Sequence, residues 1–420
     1  MPLRIGSFEG SNSEGDALMR EGYSVKRFDL PTEVRLILSC LRITPNEKEV
    51  QQIEELSRAK IGWPDFLRWV DRHRVTPLVY QNLRRYGGNG VPASAMSALR
   101  SRFESNAHRS LVNATELVRL YKLFQENGIA FIPLKGSVLA LQVYGNLAMR
   151  HAGDIDLLVA PSQEELADRL LQISYRRITP DFQLSPSQRR RFLRLTYHFE
   201  YLDDQSNLSI ELHWRSIRNQ PPHVMDLTRL QSRASTVAVA GSRLPAMSLP
   251  DNILYLCAHG AVHFWYRLFW LVDLAEIMRG NPEIDWPRLM TLASEASLMR
   301  PLALGVILAH ELLDVPLPEV IRNYALQDQM VSVSAKAAFR FMLCSQPEKP
   351  PISSTLDRHI FNVRCANSFK KKLKILQEIF TGLDWMTLHL PDSLFFLYYL
   401  LRFPLGLQRR LRGSRNQIVQ

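Results

Sequence analysis

The sequence predicts an α+β fold, a small mixed sheet carried inside a chain that is otherwise helical on both its N- and C-terminal sides. Two observations lead there. Apolar residues recur at three- and four-residue spacing before about residue 126 and after about 248, as on the buried face of a helix. Between those points the apolar runs shorten to strand length, alternate with polar residues, and are separated by polar or glycine-containing turns.

Taken in order, residues 1–25 are polar, with an acidic Gly/Ser-rich start, and their composition predicts disorder. Residues 26–125 read as a helical region. Its markers are Asp65-Phe66-Leu67-Arg68-Trp69-Val70, Pro77-Leu78-Val79-Tyr80, and a run from Ser94 to Asn127 carrying Leu99, Phe103, Leu111, Leu117, Leu120, Leu123 and Phe124. Asn127-Gly128 is a natural helix stop.

Residues 126–248 form the expected α/β core. Ile129 to Leu134 is a strand, Lys135-Gly136-Ser137 a turn, and Val138 to Tyr144 a buried helix stopped by Gly145-Asn146. Asp154 to Ala160 is a second strand. Ser162 to Ile173 reads as a helix with Ser162 as N-cap and Glu165 at the capping-box position. Tyr197 to Leu202 and Leu208 to Trp214 alternate as strands around Asp203-Asp204-Gln205-Ser206-Asn207, and Thr236 to Ala240 predicts another. Residues 249–345 are helical again, with Asp251 to Met278 long, apolar and aromatic. Residues 346–420 begin with the linker-like QPEKPP and end in a basic helical region with Lys370, Lys371, Lys372, Lys374, Arg402, Arg409, Arg410, Arg412 and Arg415.

The 420 residues suffice for two or three domains with real cores, and 46% hydrophobic with 22% charged residues suits a globular protein. No apolar stretch is long enough to span a bilayer, and the start lacks a secretory signal. Cys40, Cys257, Cys344 and Cys365 are scattered with no CxxC pair, which reads as buried free thiols in a cytoplasmic protein. A net charge of +11 suits an anionic partner: nucleotide phosphates, an acidic membrane surface or nucleic acid. No RNA-recognition motif or basic–aromatic interleaving is present, which disfavours nucleic acid.

Asp154-Ile155-Asp156-Leu157 carries the chemistry. Residues two apart on a strand share a face, so both aspartates project together while Ile155 and Leu157 face the core. Two carboxylates that close resist ionising unless a cation sits between them. Mg²⁺, which takes one or two carboxylates plus substrate phosphates, is the natural occupant. Ile210-Glu211-Leu212 offers a third acid on a strand, with Glu200, Asp203 and Asp204 as its rivals. Gly136 allows close backbone approach to phosphate at a helix N-terminus. Ser137 serves either as a phosphate ligand or as a helix cap. Lys135 precedes the glycine, so this is not a P-loop. It serves either to neutralise a triphosphate or to pair with an aspartate. Arg150 either contacts phosphate or is a surface-loop arginine.

These residues resemble the nucleotidyltransferase superfamily with its polymerase-beta-like fold, in which hG[GS] is followed by Dh[DE]h and a third h[DE]h strand. Pro133-Leu134-Lys135-Gly136, Tyr144, Arg150 and Gly153-Asp154-Ile155-Asp156-Leu157-Leu158-Val159 are similar to a branch of uncharacterised bacterial nucleotidyltransferases often described beside polysaccharide or peptide natural-product biosynthesis genes. The likeness extends to His73-Arg74-Val75, Pro77-Leu78, Glu211-Leu212-His213-Trp214 and His259 through Asp273, roughly residues 60–280. The stretch from Ser137 to Asp154 is longer than the superfamily's usual dozen residues, as it is in that branch.

The resemblance implies that Asp154, Asp156 and Glu211 hold two Mg²⁺ ions, with Mn²⁺ as an alternative, and that Lys135, Gly136, Ser137 and Arg150 bind the nucleotide. The reaction implied moves an NMP from an NTP to a hydroxyl-type acceptor: a small molecule, glycan precursor or protein. His259, His263, Arg267 and Asp273 fall on the acceptor side. The two histidines lack an HExxH glutamate, so packing is preferred to zinc for them, and His213 reads as structural. Two other classes remain in view. One is a catalytically degenerate nucleotide-binding or regulatory protein. The other is an accessory protein at the inner membrane surface, using its basic C-terminus and the apolar run Ser393 to Leu401.

Overall fold

The computed structural model describes residues 30–217, 225–344 and 355–369, with a few isolated positions beyond. The first 25 residues and the basic C-terminal positions named above, apart from Lys372, lie outside the described residues. The fold is mixed α+β. The chain divides into two compact units: Met1–Val112, Leu139–Ala152 and Leu249–Cys365 make one, and Asn113–Val138, Gly153–Ser248 and Ala366–Gln420 the other.

The first unit is helical. The helices Thr32–Ser39, Glu47–Ser57, Trp63–His73 and Thr76–Tyr86 come first. The helix Ala93–Glu126, a single element of 34 residues, begins in this unit and continues into the other. Later come Leu249–Val262, Leu268–Gly280 and Met299–Leu313, whose apolar faces pack on one another. The long run Asp251 to Met278 is thus two helices. The break falls at Phe264 and Trp265, both with positive φ (57° and 53°). The turn drives the indole of Trp265, fully buried, against the chain at Gly260, where a Cβ would stand 2.6 Å from its ring. Gly305 is needed for the same reason: a Cβ there would come within 2.9 Å of that indole and 2.7 Å of Cys257 Sγ. The aromatic run is therefore core. His73, buried and held neutral by that burial, accepts the Leu268 N–H at 3.3 Å through Nδ1 and satisfies an orphan donor at a helix start.

The second unit holds a five-stranded sheet in the order β1-β2-β5-β4-β3. The strands are β1 Phe131–Pro133, β2 Ile155–Val159, β3 Arg176–Thr179, β4 His198–Asp203 and β5 Leu208–His213. β2 and β5 pair in parallel; the other neighbours are antiparallel. A separate hairpin joins β6 Ser235–Val239 to β7 Ser242–Ala246. Its turn residues Ala240 and Gly241 both have positive φ (44° and 81°), the backbone a two-residue hairpin of this twist requires.

One expectation needs correction. The helix after β2 runs Glu164–Leu171 and Ser162 does not cap it; its N-cap is Gln163, without a side-chain cap bond. The chain turns at 161–163 instead, and Gln163 donates its side-chain amide to the Gly128 carbonyl at 2.7 Å. β3 and the helix Pro186–Leu195 had no sequence reading. β3 is short and arginine-rich, and its Arg177 is buried against Asp168 at 2.9 Å, so tertiary pairing hides what propensity would disfavour. Cys40 and Cys257 are buried free thiols, and Cys365 is buried as well. Among the described residues, no helix is long and apolar enough to cross a membrane.

Candidate active site

Strand register assembles the acids. In the parallel pair β2/β5, Asp156 stands directly opposite Glu211, and in β4/β5 Glu200 stands opposite Glu211 from the other side. Asp154 lies just before β2, two residues from Asp156, on the same side of the strand. Carboxylate oxygens of Asp154, Asp156 and Glu211 lie within 4.8 Å of one another. Ile155, Leu157, Ile210 and Leu212, which alternate with them, are buried in the core.

Two cationic side chains share that space. Lys135 Nζ lies 3.5 Å from Asp154 Oδ2 and 3.3 Å from Asp156 Oδ1. His213 Nε2 lies 3.3 Å from Asp156 Oδ1 and 3.0 Å from Glu211 Oε2. Burial alone would lower the His213 pKa, but the hydrogen bonds and charges of Asp156 and Glu211 outweigh it and push it up to about 9. Burial and Asp154 push Glu211 the other way, upward, yet His213, His198 and Lys135 together hold it below the ordinary glutamate range. Three acids thus face one lysine and one imidazolium, a formal excess of one negative charge.

A divalent cation fits this donor set. Asp156 is 2% exposed, and its Oδ2 is buried with no hydrogen-bond partner. Leaving such an oxygen bare costs about 1–3 kcal/mol, and more if charged. Asp154, with its side chain 27% exposed, and Glu211, 20% exposed, open the cluster to solvent.

The turn beside the acids begins at the end of β1. Leu134 donates its N–H to the Asp156 carbonyl at 3.2 Å, which ties the turn to β2. Gly136 has φ +72°; a Cβ there would meet only the Asp154 carbonyl oxygen, at 3.8 Å. Glycine is wanted for its backbone angle, not for space. Ser137 is the first residue of the helix Ser137–Tyr144 and is buried. Asn113 Nδ2 holds the Gly153 carbonyl at 2.6 Å, one residue before Asp154.

The rivals of Glu211 are occupied elsewhere. Glu200 accepts from Thr179 Oγ1 at 2.9 Å and meets His198 Nε2 at 3.1 Å. Asp203 accepts from Gln205 and Ser206 in the β4–β5 turn, and Asp204 pairs with Arg176 on the surface.

The remaining expected site residues belong to the helical unit. Arg150 is no surface-loop arginine. It is 6% exposed and grips Asp273 through Nε at 3.0 Å and a terminal nitrogen at 2.8 Å, while Tyr144 Oη donates to the same carboxylate at 2.8 Å. Any phosphate contact from Arg150 would compete with that pair. Arg150 and Asp273 line a small cavity with Arg74, Tyr144, His151 and Phe269. His259 and His263 pack ring to ring at 4.6 Å and against Trp270, and Arg267 lies over Tyr266. Among the described residues, neither histidine belongs to a metal-ligand cluster.

Sequence reasoning does not place His213 or His198 in the site. The signal was available: His213 is two residues beyond Glu211 on one strand and must share its face. His198 shares that face only through the β4/β5 register, which a linear reading does not contain.

Comparison with curated proteins and with solved structures gives no match. Residues 59–314, more than half of the chain and including the acids, the turn and the whole sheet, match a protein family. The chain belongs to that family, the one described as uncharacterised nucleotidyltransferase.

Proposed function

We propose that this protein is a Mg²⁺-dependent enzyme that transfers a nucleoside monophosphate from an NTP to a hydroxyl-type acceptor on a small molecule, glycan precursor or protein. The observation that carries the reading is the convergence of Asp154, Asp156 and Glu211 within 4.8 Å beside the Lys135-Gly136-Ser137 turn. Asp154, Asp156 and Glu211 would hold the ions, and Mn²⁺ could replace Mg²⁺ there. When bound, such ions supply charge neutralisation and alignment at the transferring phosphoryl group.

The chain's own groups do the rest. The turn presents backbone N–H groups at a helix start to the triphosphate. Lys135, released from the aspartates once their charge is met otherwise, neutralises the phosphate oxygens. Ser137 adds a hydroxyl. Glu211, held ionised by its neighbours, takes the proton of the acceptor hydroxyl as its oxygen bonds to the α-phosphorus. The bond from that phosphorus to the bridging oxygen breaks, and pyrophosphate leaves. A place in polysaccharide or natural-product biosynthesis and a membrane-surface contact are compatible with this chemistry. The basic segment that suggests the latter falls largely outside the described residues.

Asp154→Asn tests the proposal, because Asp154 is the most exposed of the three acids and its loss should spare the fold. The variant should keep the wild-type circular dichroism and lose Mg²⁺-dependent labelling of acceptor by α-³²P-NTP; retained transfer would sink the reading. One observation favours a second reading. Lys135 and His213 already neutralise much of the cluster, as in a protein that binds nucleotide without turning it over. Tight NTP binding with no pyrophosphate release by the wild type would establish that alternative.

A further inference from the structure

We propose that His198, His213 and Glu211 form a second metal site, selective for a borderline ion such as Zn²⁺ over Mg²⁺. A ring nitrogen of His198, a ring nitrogen of His213 and an oxygen of Glu211 lie within 4.8 Å of one another. An ion bound about 2.1 Å from each donor in tetrahedral geometry would hold them roughly 3.4 Å apart, inside the 4.8 Å within which they already lie. The rings lie with centroids 5.0 Å apart and planes tilted by 41°, on adjacent strands whose register sets His198 opposite His213.

Hydrogen bonding points the same way. On each ring one nitrogen meets a carboxylate: His198 Nε2 meets Glu200 at 3.1 Å, and His213 Nε2 meets Glu211 at 3.0 Å. His198 Nδ1 is buried with no partner, whereas His213 faces Glu211 through Nε2, so an ion shared by His213 and Glu211 would take the place of that hydrogen bond. For His198, the Glu200 carboxylate on one nitrogen and an unpartnered nitrogen on the other is how metal-bound histidines are oriented and kept basic, while an ion at His213 would displace its proton.

Ligand type decides the ion. Imidazole nitrogen suits Zn²⁺, Co²⁺, Ni²⁺ and Fe²⁺, whereas Mg²⁺ demands oxygen. Glu211 would be shared, one carboxylate between this site and the acid cluster. The inference goes beyond the transfer reaction and does not need it: a protein with no transferase activity could still carry the ion.

Titration of the full-length, chelator-stripped protein with Co²⁺, a spectroscopic stand-in for Zn²⁺, tests it. One equivalent should give the strong visible absorption of low-coordinate Co²⁺, and excess Mg²⁺ should not remove it. His198→Ala should weaken Co²⁺ binding by more than about 10-fold. His198→Gln, which keeps a polar partner for Glu200, serves if the alanine variant does not fold. Asp154→Asn should leave the spectrum in place. No strong band in the wild type, a band that survives loss of His198, or a band lost in Asp154→Asn would overturn the proposal. The last outcome would put the ion among the three carboxylates. Because the readout is a spectrum and not transfer, failure here leaves the test of the transferase reading untouched.

Discussion

The His213 side chain is almost fully buried, a setting that ordinarily strips an imidazole of its proton, yet carboxylates of Asp156 and Glu211 at its Nε2 reverse the outcome. The reversal has a sign that can be measured in the metal-free protein. The folded-state pKa, about 9, lies above the ordinary 6.5, so the folded chain binds this proton more tightly than the unfolded one. The resulting stability is fully present below about pH 6.5 and is lost as pH rises through about 9. It amounts to at most about 3 kcal/mol. Urea unfolding in EDTA should show this fall between about pH 6 and about pH 9.5, and His213→Gln should flatten it. An equal slope in the variant would mean that another group holds the proton. The acids themselves were legible in the sequence, since D-h-D-h and h-E-h fix which face each side chain takes. The cations beside them were less so. The sequence leaves Lys135 between two roles and reads His213 as structural, because what each side chain meets is decided by neighbouring strands.

Elements show the same division. Short apolar runs bounded by turns marked β2, β4 and β5 to within a residue or two, because a half-buried strand must alternate. β3 escaped because its arginines belong to a buried network: Arg177 and Arg189 both pair with Asp168, which also accepts from Tyr201 Oη at 2.7 Å. Arg150 is the matching case in the helical unit. The segment Leu139–Ala152 carries Tyr144 and Arg150, and both meet Asp273 of the helix Leu268–Gly280. The pair is buried on both sides, at 5% and 1% side-chain exposure, so its removal is not softened by water. Arg150→Met leaves an uncompensated buried carboxylate and should destabilise the protein by about 3–5 kcal/mol in urea unfolding. Adding Asp273→Leu should recover most of that loss. A single variant as stable as wild type would show that the carboxylate finds another partner. An Arg150 that acted mainly on nucleotide would instead leave stability unchanged and weaken NTP binding.

On the scale of the whole chain, the two compact units are not consecutive in sequence. Residues 113–125 go with the sheet unit, although the sequence reads them as the end of one helical region. Residues 139–152 go with the helices, although they stand between two strands of the sheet. Apolar periodicity reports which face of an element is buried and not which core buries it, so a linear reading has no access to this exchange. The consequence for folding is specific. The segment Leu249–Cys365 contains most of the later helices of its unit, and by length alone it could pass for a domain. By itself it would hold Asp273 in an apolar interior without Arg150 or Tyr144, and Leu268 N–H without His73 Nδ1. An isolated buried carboxylate and an orphan helix-start donor together cost several kcal/mol, a large part of the stability of any domain this size. A fragment of residues 249–365 should therefore show no cooperative urea transition, even where circular dichroism reports helix. A fragment of residues 30–365, which carries all three segments of the unit, should unfold cooperatively. Cooperative unfolding of the shorter fragment would mean that the helical unit is organised around its C-terminal segment alone, with the buried pair to Arg150 dispensable to its core.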